Sequence, residues 1–389
     1  MEMKQIASFL TEVNKEVLGI EDPVLEDLSN VADTGKAVFD SDSVDKYVSK
    51  LVDRIGRSVF VSRKYSGRVP SIVVDGWTYG AVMAKYDCDL PDLQENPSWA
   101  LSNGTSVDPF VVTLPSINTR FFNKRVTFEC DLTIVELQFR SAFNSATECA
   151  SFVAMIFNAI ENKMTIQMDA LIMRAIANMI AETVYSDFGA NAITGGSHVK
   201  AVNLLYLYNQ MVGAGNTITA AEMCKTPEFI RFATNIISMY KDRIASYSKL
   251  FNVDGRPRFS PKDKQHLVVL SEFDAGSKAF LQSDTYHNEM VSIPDGYEVV
   301  PFWQGSGTDY GFEDTSKIYV TTNDNHTVTV TGVLAVLFDS DAVVATNFDR
   351  RVKSQPNGKG EFVNYFYKQD AGYINSLSEN FVVFFGASA

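Results

Sequence analysis

The 389-residue sequence predicts an α+β fold on three observations. Apolar residues repeat at helical spacing from Ser145 to Val184, well beyond the length of an ordinary globular helix. Residues 190 to 330 mix short helical and strand patterns. The clearest strand alternation comes late, between Phe338 and Tyr373.

The N-terminal part opens with one helical stripe, Ile6, Leu10, Val13 and Val17, which Gly19 is placed to stop. Ser43 can cap a second helix carrying Val44, Val48, Leu51, Val52 and Ile55, ended by Gly56. Two small helices bury too little to stand alone, so this part reads as an arm lying on something else. Residues 67 to 128 predict a projecting two-stranded loop, with strands at Ile72 to Tyr86 and Arg120 to Cys130. Pro91, Pro97, Pro109 and Pro115 break regular structure between them. Excursions this long inside a compact domain are usually functional. Trp77, Tyr79 and Trp99 are then either contact residues or local packing within the loop.

Ser145-Ala146-Thr147-Glu148 is a capping box, in which the serine and glutamate side chains satisfy amides at a helix start. Phe152, Ile156, Ile160, Met164, Met168, Leu171, Ile172, Ala175, Met179 and Ile180 follow at helical spacing. Unbroken, Ser145 to Val184 is a rod of roughly 60 Å at 1.5 Å per residue. Its weakest point is Thr165-Ile166, two adjacent β-branched residues. The methionines on the stripe read as packing. Further on, Thr226-Pro227-Glu228 starts a helix whose buried face is Ile230, Ala233, Ile237, Tyr240, Ile244, Tyr247 and Phe251. Strands are expected at His266 to Ser271, Tyr297 to Trp303, Lys317 to Thr322 and Val333 to Phe338, with a short helix near Ala275 to Leu281.

Glu361 to Lys368 alternates with period two. Val363, Tyr365 and Tyr367 share one face; Phe362, Asn364 and Phe366 share the other. Pro356-Asn357-Gly358-Lys359-Gly360 supplies turn chemistry before it. The preceding strand, Val343 to Gln355, changes from an apolar half to one carrying Arg350, Arg351 and Lys353. Phe381 to Phe385 can add another strand. The end of the sequence is therefore core, and truncation before Gly360 or Phe366→Asp is expected to prevent folding.

Composition bounds what this core can serve. A hydrophobic content of 46% makes the chain globular, long enough for two or three domains. A net charge of −13 without a long basic run argues against wrapping nucleic acid. Cys88, Cys130, Cys149 and Cys224 have no close spacing, so neither a zinc site nor a disulfide frame is indicated, and reduced cysteines are expected. No signal-peptide core or membrane-length apolar run appears, which points to cytoplasmic synthesis, and the sequons at Asn103 and Asn325 read as chance matches.

The search for catalytic chemistry is negative. There is no phosphate-binding loop of the Gly-x-x-x-x-Gly-Lys type and no His-Glu-x-x-His helix; Gly305-Ser306-Gly307 opens no evident helix. His198, His266, His287 and His326 lie far apart in sequence. Asp284 to Glu289 carries Asp284, His287 and Glu289, but contiguous residues fan around a helix axis and cannot converge on one ion. No catalytic, cofactor-binding or metal site is expected.

The order of parts, helical arm, two-stranded loop, long capped helix, α/β insertion and returning strands, closely resembles the major capsid proteins of tailed bacteriophages, the Hong Kong 97 fold. Leu51 to Phe60, LVDRIGRSVF, is similar to the segment before the loop in capsid proteins of small short-tailed, phi-29-type phages. Ala335 to Tyr373 is similar to the ending of capsid proteins from phages of low-GC Gram-positive hosts. The resemblance implies an N-terminal arm at 1–66, an E-loop at 67–128, a P-domain with a spine helix at 129–195, an A-domain at 196–330, and strands completing the P-domain at 331–389.

It also implies a function: hexamers and pentamers of this subunit enclosing double-stranded DNA in an icosahedral or prolate shell, without sequence-specific binding. Implied partners are copies of itself, a separate scaffolding protein, and portal and decoration proteins, with no membrane. The implied location is the virion, after assembly in the bacterial cytoplasm. Interface candidates are Trp77, Tyr79, Trp99, Arg350 and Arg351. No self-crosslinking set matches, and Lys85 in the loop does not make one. An encapsulin-like nanocompartment shares the fold, and a metabolic enzyme would need a convergent site such as His287 and Glu289 beside His198 or His266 in a pocket.

Overall fold

A computed structural model describes residues 3–19, 23–40, 69–75, 83–88, 117–122, 125–135, 146–189, 196–283, 296–303, 318–321 and 326–387, with positions 46, 47, 50, 110, 112, 114 and 293. Its longest element is the helix the apolar repeat demands, α3, Ala146–Phe188, with α1 at Met3–Leu18 and α2 at Val31–Asp40 before it. The helix runs unbroken through Thr165-Ile166, its 43 residues spanning about 64 Å. Glu148 stands in its first turn, while Ser145 lies outside the described residues.

A four-stranded sheet packs along this helix. It is made of β1 (Val73–Asp75), β4 (Arg125–Val135), β11 (Val343–Asn357) and β12 (Phe362–Asn375), in the order β1-β11-β12-β4. The long hairpin β11–β12 turns where expected, the Asn357 side-chain oxygen accepting the amides of Lys359 and Gly360 at 3.1 Å each. The alternation of β12 is real: Val363, Tyr365 and Tyr367 are buried, and Phe362, Asn364 and Phe366 are partly exposed. Against the buried row lie Ile6, Leu10 and Val13 of α1 and Ile156, Ile160 and Met164 of α3. The arm thus lies on its own chain's sheet, and Tyr47 is tied to it by a 2.7 Å hydrogen bond donated to Asn14.

The second sheet is apolar on both sides. It is ordered β5-β13-β10-β6-β7, from β5 (Ala201–Asn203), β6 (Gln265–Leu270), β7 (Tyr297–Val300), β10 (Val333–Asp339) and β13 (Phe381–Phe385). Val336, Phe338, Phe381, Val383 and Phe385 face the second half of α3. Leu337, Val382 and Phe384 face α4 (Leu204–Val212) and α5 (Pro227–Ala245). Burial on both faces explains the continuous apolar runs of β10 and β13. The remaining described elements are α6 (Ser271–Ser283), three single-turn 3-10 helices at Pro70–Ile72, Met223–Lys225 and Lys262–Lys264, and two ribbons, β2 (Met83–Cys88) with β3 (Ile117–Phe122), and β8 (Ile318–Thr321) with β9 (Thr327–Val330).

Several expectations change. Ile72 to Tyr86 is not one strand: β1 joins the four-stranded sheet, parallel to β11, and β2 joins the ribbon. Arg120 to Cys130 likewise divides between β3 and β4. Thr226 occupies the cap position of α5 without capping it, its hydroxyl donating instead to the Glu222 carbonyl at 3.0 Å. The helix stops at Ala245, so Tyr247 is exposed, and Phe251 is buried from the following loop. Residues 331–389, expected as one block, divide between the sheets: β11 and β12 pair with β4, whereas β10 and β13 pair with β6 and β5. The helix expected at Val44 to Ile55 lies largely outside the described residues.

Phe366 sits on the partly exposed row, opposite Lys353 and Asp131, so it is the wrong residue on which to break the frame. Tyr367→Ala should cost about 3–5 kcal/mol and Phe366→Ala under about 1.5 kcal/mol. Urea denaturation of the unassembled subunit followed by circular dichroism checks the order; equal losses would show both faces of β12 to be core.

Candidate subunit interface

The β2–β3 ribbon is amphipathic the wrong way round for a part of an isolated globule. In its register Lys85 lies opposite Arg120 and Asp87 opposite Asn118, while Tyr86 lies opposite Thr119 and Cys88 opposite Ile117. Because side chains alternate across a strand, Lys85, Asp87, Asn118 and Arg120 share one face and Tyr86, Ile117 and Phe121 the other. The polar face is turned onto the body of the chain. The apolar face is turned to solvent, with Tyr86 69%, Ile117 66% and Phe121 67% exposed. Phe110, Val112 and Leu114, leading into β3, are also exposed. An exposed apolar surface rimmed by polar residues is the kind of patch that marks an interaction site.

Beside the ribbon lies a cavity of about 530 Å³, lined by Phe121 and Phe122 of the ribbon, Arg174, Asn178 and Glu182 of α3, and Tyr373 and Asn375 of β12. The three α3 residues recur at every fourth position, forming a polar stripe on the otherwise apolar second half of that helix. Arg174 lies over the Tyr373 ring, 5.6 Å from its centre. Asn375 donates to the Ala175 carbonyl at 3.1 Å, fixing β12 to the helix.

On the outer face of the four-stranded sheet Arg125 and Arg351 pair with Asp370, and Lys368 with Glu129, within the chain. Asp370 is buried and accepts hydrogen bonds from Arg351 (2.6 and 3.3 Å), Thr127 (2.6 Å) and Arg125. Burial of this carboxyl would by itself raise its pKa. The hydrogen bonds from Arg351, Thr127 and Arg125 outweigh it and hold the group below the ordinary aspartate value. Arg351, expected as a contact between neighbours, therefore also braces β11 against β12. Of Arg350 only the backbone, opposite Gln369, is among the described residues, and Trp77, Tyr79 and Trp99 lie outside them. The ribbon's exposed row was missed in the sequence because only the register, not the composition, reveals it.

Nothing described gathers into a reaction centre. His198 meets Phe188 edge-on, His326 stacks on Tyr185, and His266 lies against Phe338. Asp284 to Glu289 and Gly305 to Gly307 fall outside the described residues. Among those described, no three His, Cys, Asp or Glu residues are placed to hold a metal ion, and no helix is long and apolar enough to cross a membrane. Burial pushes the Cys224 thiol up to about 11, so it stays protonated.

Comparison with known proteins yields a sequence-family match and a set of structural likenesses. The profile of the Phi29-like phage major capsid protein matches residues 7–385. No curated protein matches the sequence significantly. The capsid structure of Staphylococcus phage Andhra aligns with a TM-score of 0.50 at 12% identity, covering 84% of this chain and 86% of that one. The structure of the head fibre and inner core protein of native bacteriophage P68 aligns with a TM-score of 0.51 at 9% identity, over the same shares. At these identities the two structures speak for the fold alone, a mixed helix-and-sheet capsid fold of the Hong Kong 97 kind.

The Asp370 cluster predicts a pH signature. Its folded-state pKa is depressed, so its stabilisation is present above about 3.8, the ordinary aspartate value, and is lost as pH falls through the lower folded value. At pH 7 Asp370→Asn should lower stability by about 1–3 kcal/mol, the range for hydrogen bonds to charged groups. Denaturation titrations from pH 7 to pH 2 should show wild type and variant converging at the acid end; a constant gap would show the carboxylate to be incidental.

Proposed function

The chain belongs to the Phi29-like phage major capsid protein family, and from that premise we propose how its parts serve the shell. It is a capsid shell subunit of the virion, and its role is structural. The observation that carries the proposal is the ribbon: it spends its polar residues on its own chain and presents Tyr86, Ile117 and Phe121 outward. Such a face is satisfied by a second copy, since every subunit of a closed shell has a neighbour to offer.

In this reading residues 1–66 are the arm and 67–128 the E-loop that reaches over an adjoining subunit, Trp77, Tyr79 and Trp99 adding to its contacts. Residues 129–195 contain the spine helix α3, and 196–330 the A-domain that meets its copies at the centres of hexamers and pentamers. The strands of 331–389 close both sheets, β11 and β12 the frame and β10 and β13 the A-domain. Arg350 and Arg351, at the solvated half of β11, lie where frames of neighbouring subunits meet. Many modest contacts then sum by avidity.

The acidic balance suits a wall along which packaged double-stranded DNA slides without being held. A separate scaffolding protein, a portal and decoration proteins complete the partners, and assembly takes place in the host cytoplasm.

Phe121→Asp should abolish particles while leaving the subunit folded, and Trp77→Ala should weaken assembly more than folding. Negative-stain electron microscopy and circular dichroism of the same preparations read the two effects. A wild-type chain that stays monomeric across salt and concentration would defeat the proposal.

A further inference from the structure

The inward face of the ribbon meets a receptor built from three distant parts of the chain. Lys85 donates to Glu379 at 2.8 Å, and the Asp341 carbonyl stands 3.4 Å from the same ammonium. Asp87 accepts from Arg258 at 2.8 Å and lies 3.7 Å from Arg256. Arg256 also reaches Asn118 at 3.3 Å, and Arg120 pairs with Asp254. Arg258 lies 3.7 Å from Glu379 as well, so the charges of this cluster alternate from Lys85 through Glu379, Arg258 and Asp87 to Arg256, with Arg120–Asp254 a further pair on the same loop. Its side chains are 11% to 29% exposed, shielded enough for these pairs to count for more than ordinary surface pairs.

The receptor is preorganised. Asp254, Arg256 and Arg258 occupy alternate positions of one tight loop, with Gly255 at φ +65° and Pro257 between them. The amides of Val253 and Asp254 donate to the Leu377 carbonyl, and Asn252 exchanges hydrogen bonds with both the amide and the carbonyl of Arg256. Bonds from Ser248 to Arg258 close the loop's other end. The body thus holds three charged side chains in fixed directions, and the ribbon brings their complements.

We infer that Asp254, Arg256, Arg258 and Glu379 are positioning residues that latch the base of the ribbon onto its own subunit and thereby hold its apolar face outward. Amphipathic ribbons left to themselves turn the apolar face inward, because that is where apolar area leaves water. The latch supplies the opposing preference: rolling the ribbon over would strip Lys85, Arg120 and Arg256 of their carboxylate partners and leave Arg258 only its longer contact with Glu379. The latch stands on the geometry of the single chain; its consequence, that the ribbon's reach toward a neighbour is set by residues 254–258, rests on the capsid reading.

Hydrogen exchange measured by mass spectrometry on the unassembled full chain tests it. Arg258→Ala and Arg120→Glu should each speed exchange in residues 83–88 and 117–122 by about ten-fold or more, leaving β6, β10, β11 and β12 unchanged, as expected for opening of one local unit. The reversed pair Arg120→Glu/Asp254→Arg should recover most of the protection lost in Arg120→Glu. Unchanged exchange in both single variants, or a reversed pair as fast as Arg120→Glu alone, would overturn the latch. Electron microscopy on the same proteins serves as a separate arm. If wild type forms shells, the single variants should form fewer or misshapen ones; if wild type forms none, the capsid reading fails and the exchange data decide the latch alone.

Discussion

A helix shared by two sheets has to be apolar on more than one side, and α3 carries that constraint for the whole chain. In its first half the buried residues Ile156, Ile160 and Met164 keep to one stripe, against α1 and the row Val363, Tyr365 and Tyr367. In its second half Ile172, Met173, Ala175, Ile176, Met179, Ile180, Ala181 and Val184 are buried almost all around the axis, because the five-stranded sheet covers it there. The polar positions Arg174, Asn178 and Glu182 face the cavity. At the helix end Asp187 accepts the amides of Lys200 and Ala201, tying the rod to the first strand of the second sheet.

That shared wall explains the path of the last residues. β11 must serve the second core with Val343 and Ala345, and the first core with Val352. Strands with strict alternation and fixed pairing keep the same parity throughout, so a change of role needs an extra residue. The register shift between Asn347 and Arg350, three steps on β11 against two on β12, supplies it. Arg351 and Lys353 then fall on the outer face, where Asp370 is available to Arg351. The same economy sends β10 and β13 to the other side of the helix, to complete a sheet whose remaining strands come from residues 201–300.

What the sequence made legible is what local pattern alone determines. The α3 repeat, the buried face of α5 and the alternation of β12 each carry enough matched positions to outvote their exceptions. The N-terminal stripe was legible for the same reason. Short elements were not: α2 buries Val31 and Gly35 but carries too few apolar positions to show a period. Splitting Ile72 to Tyr86 between two sheets depends on pairing with residues some 270 positions away, which no local window contains. The division of 331–389 was hidden likewise, since β10 and β13 read as strands without saying which partners they take. The receptor segment Asp254-Gly255-Arg256-Pro257-Arg258 looks like a solvated loop until Lys85, Asp87 and Arg120 are placed beside it.

The ribbon makes the last step of this reasoning. Core burial drives a chain to hide apolar area, and the two sheets and α3 do so almost completely, with Phe338, Phe381, Phe384 and Phe385 no more than 1% exposed. A chain that packs its interior so well and yet holds Ile117 and Phe121 in water leaves apolar area that its described residues do not cover. In the role proposed for the ribbon that face is buried between copies, where area removed from water contributes roughly 25 cal/mol per Å². Each such contact is small, and that is useful: weak, repeated contacts allow misplaced subunits to leave before a closed surface locks them in. In that proposal the charged inner face and the apolar outer face of one ribbon are complementary parts of the same device, the first fixing direction within a subunit and the second supplying attraction between subunits.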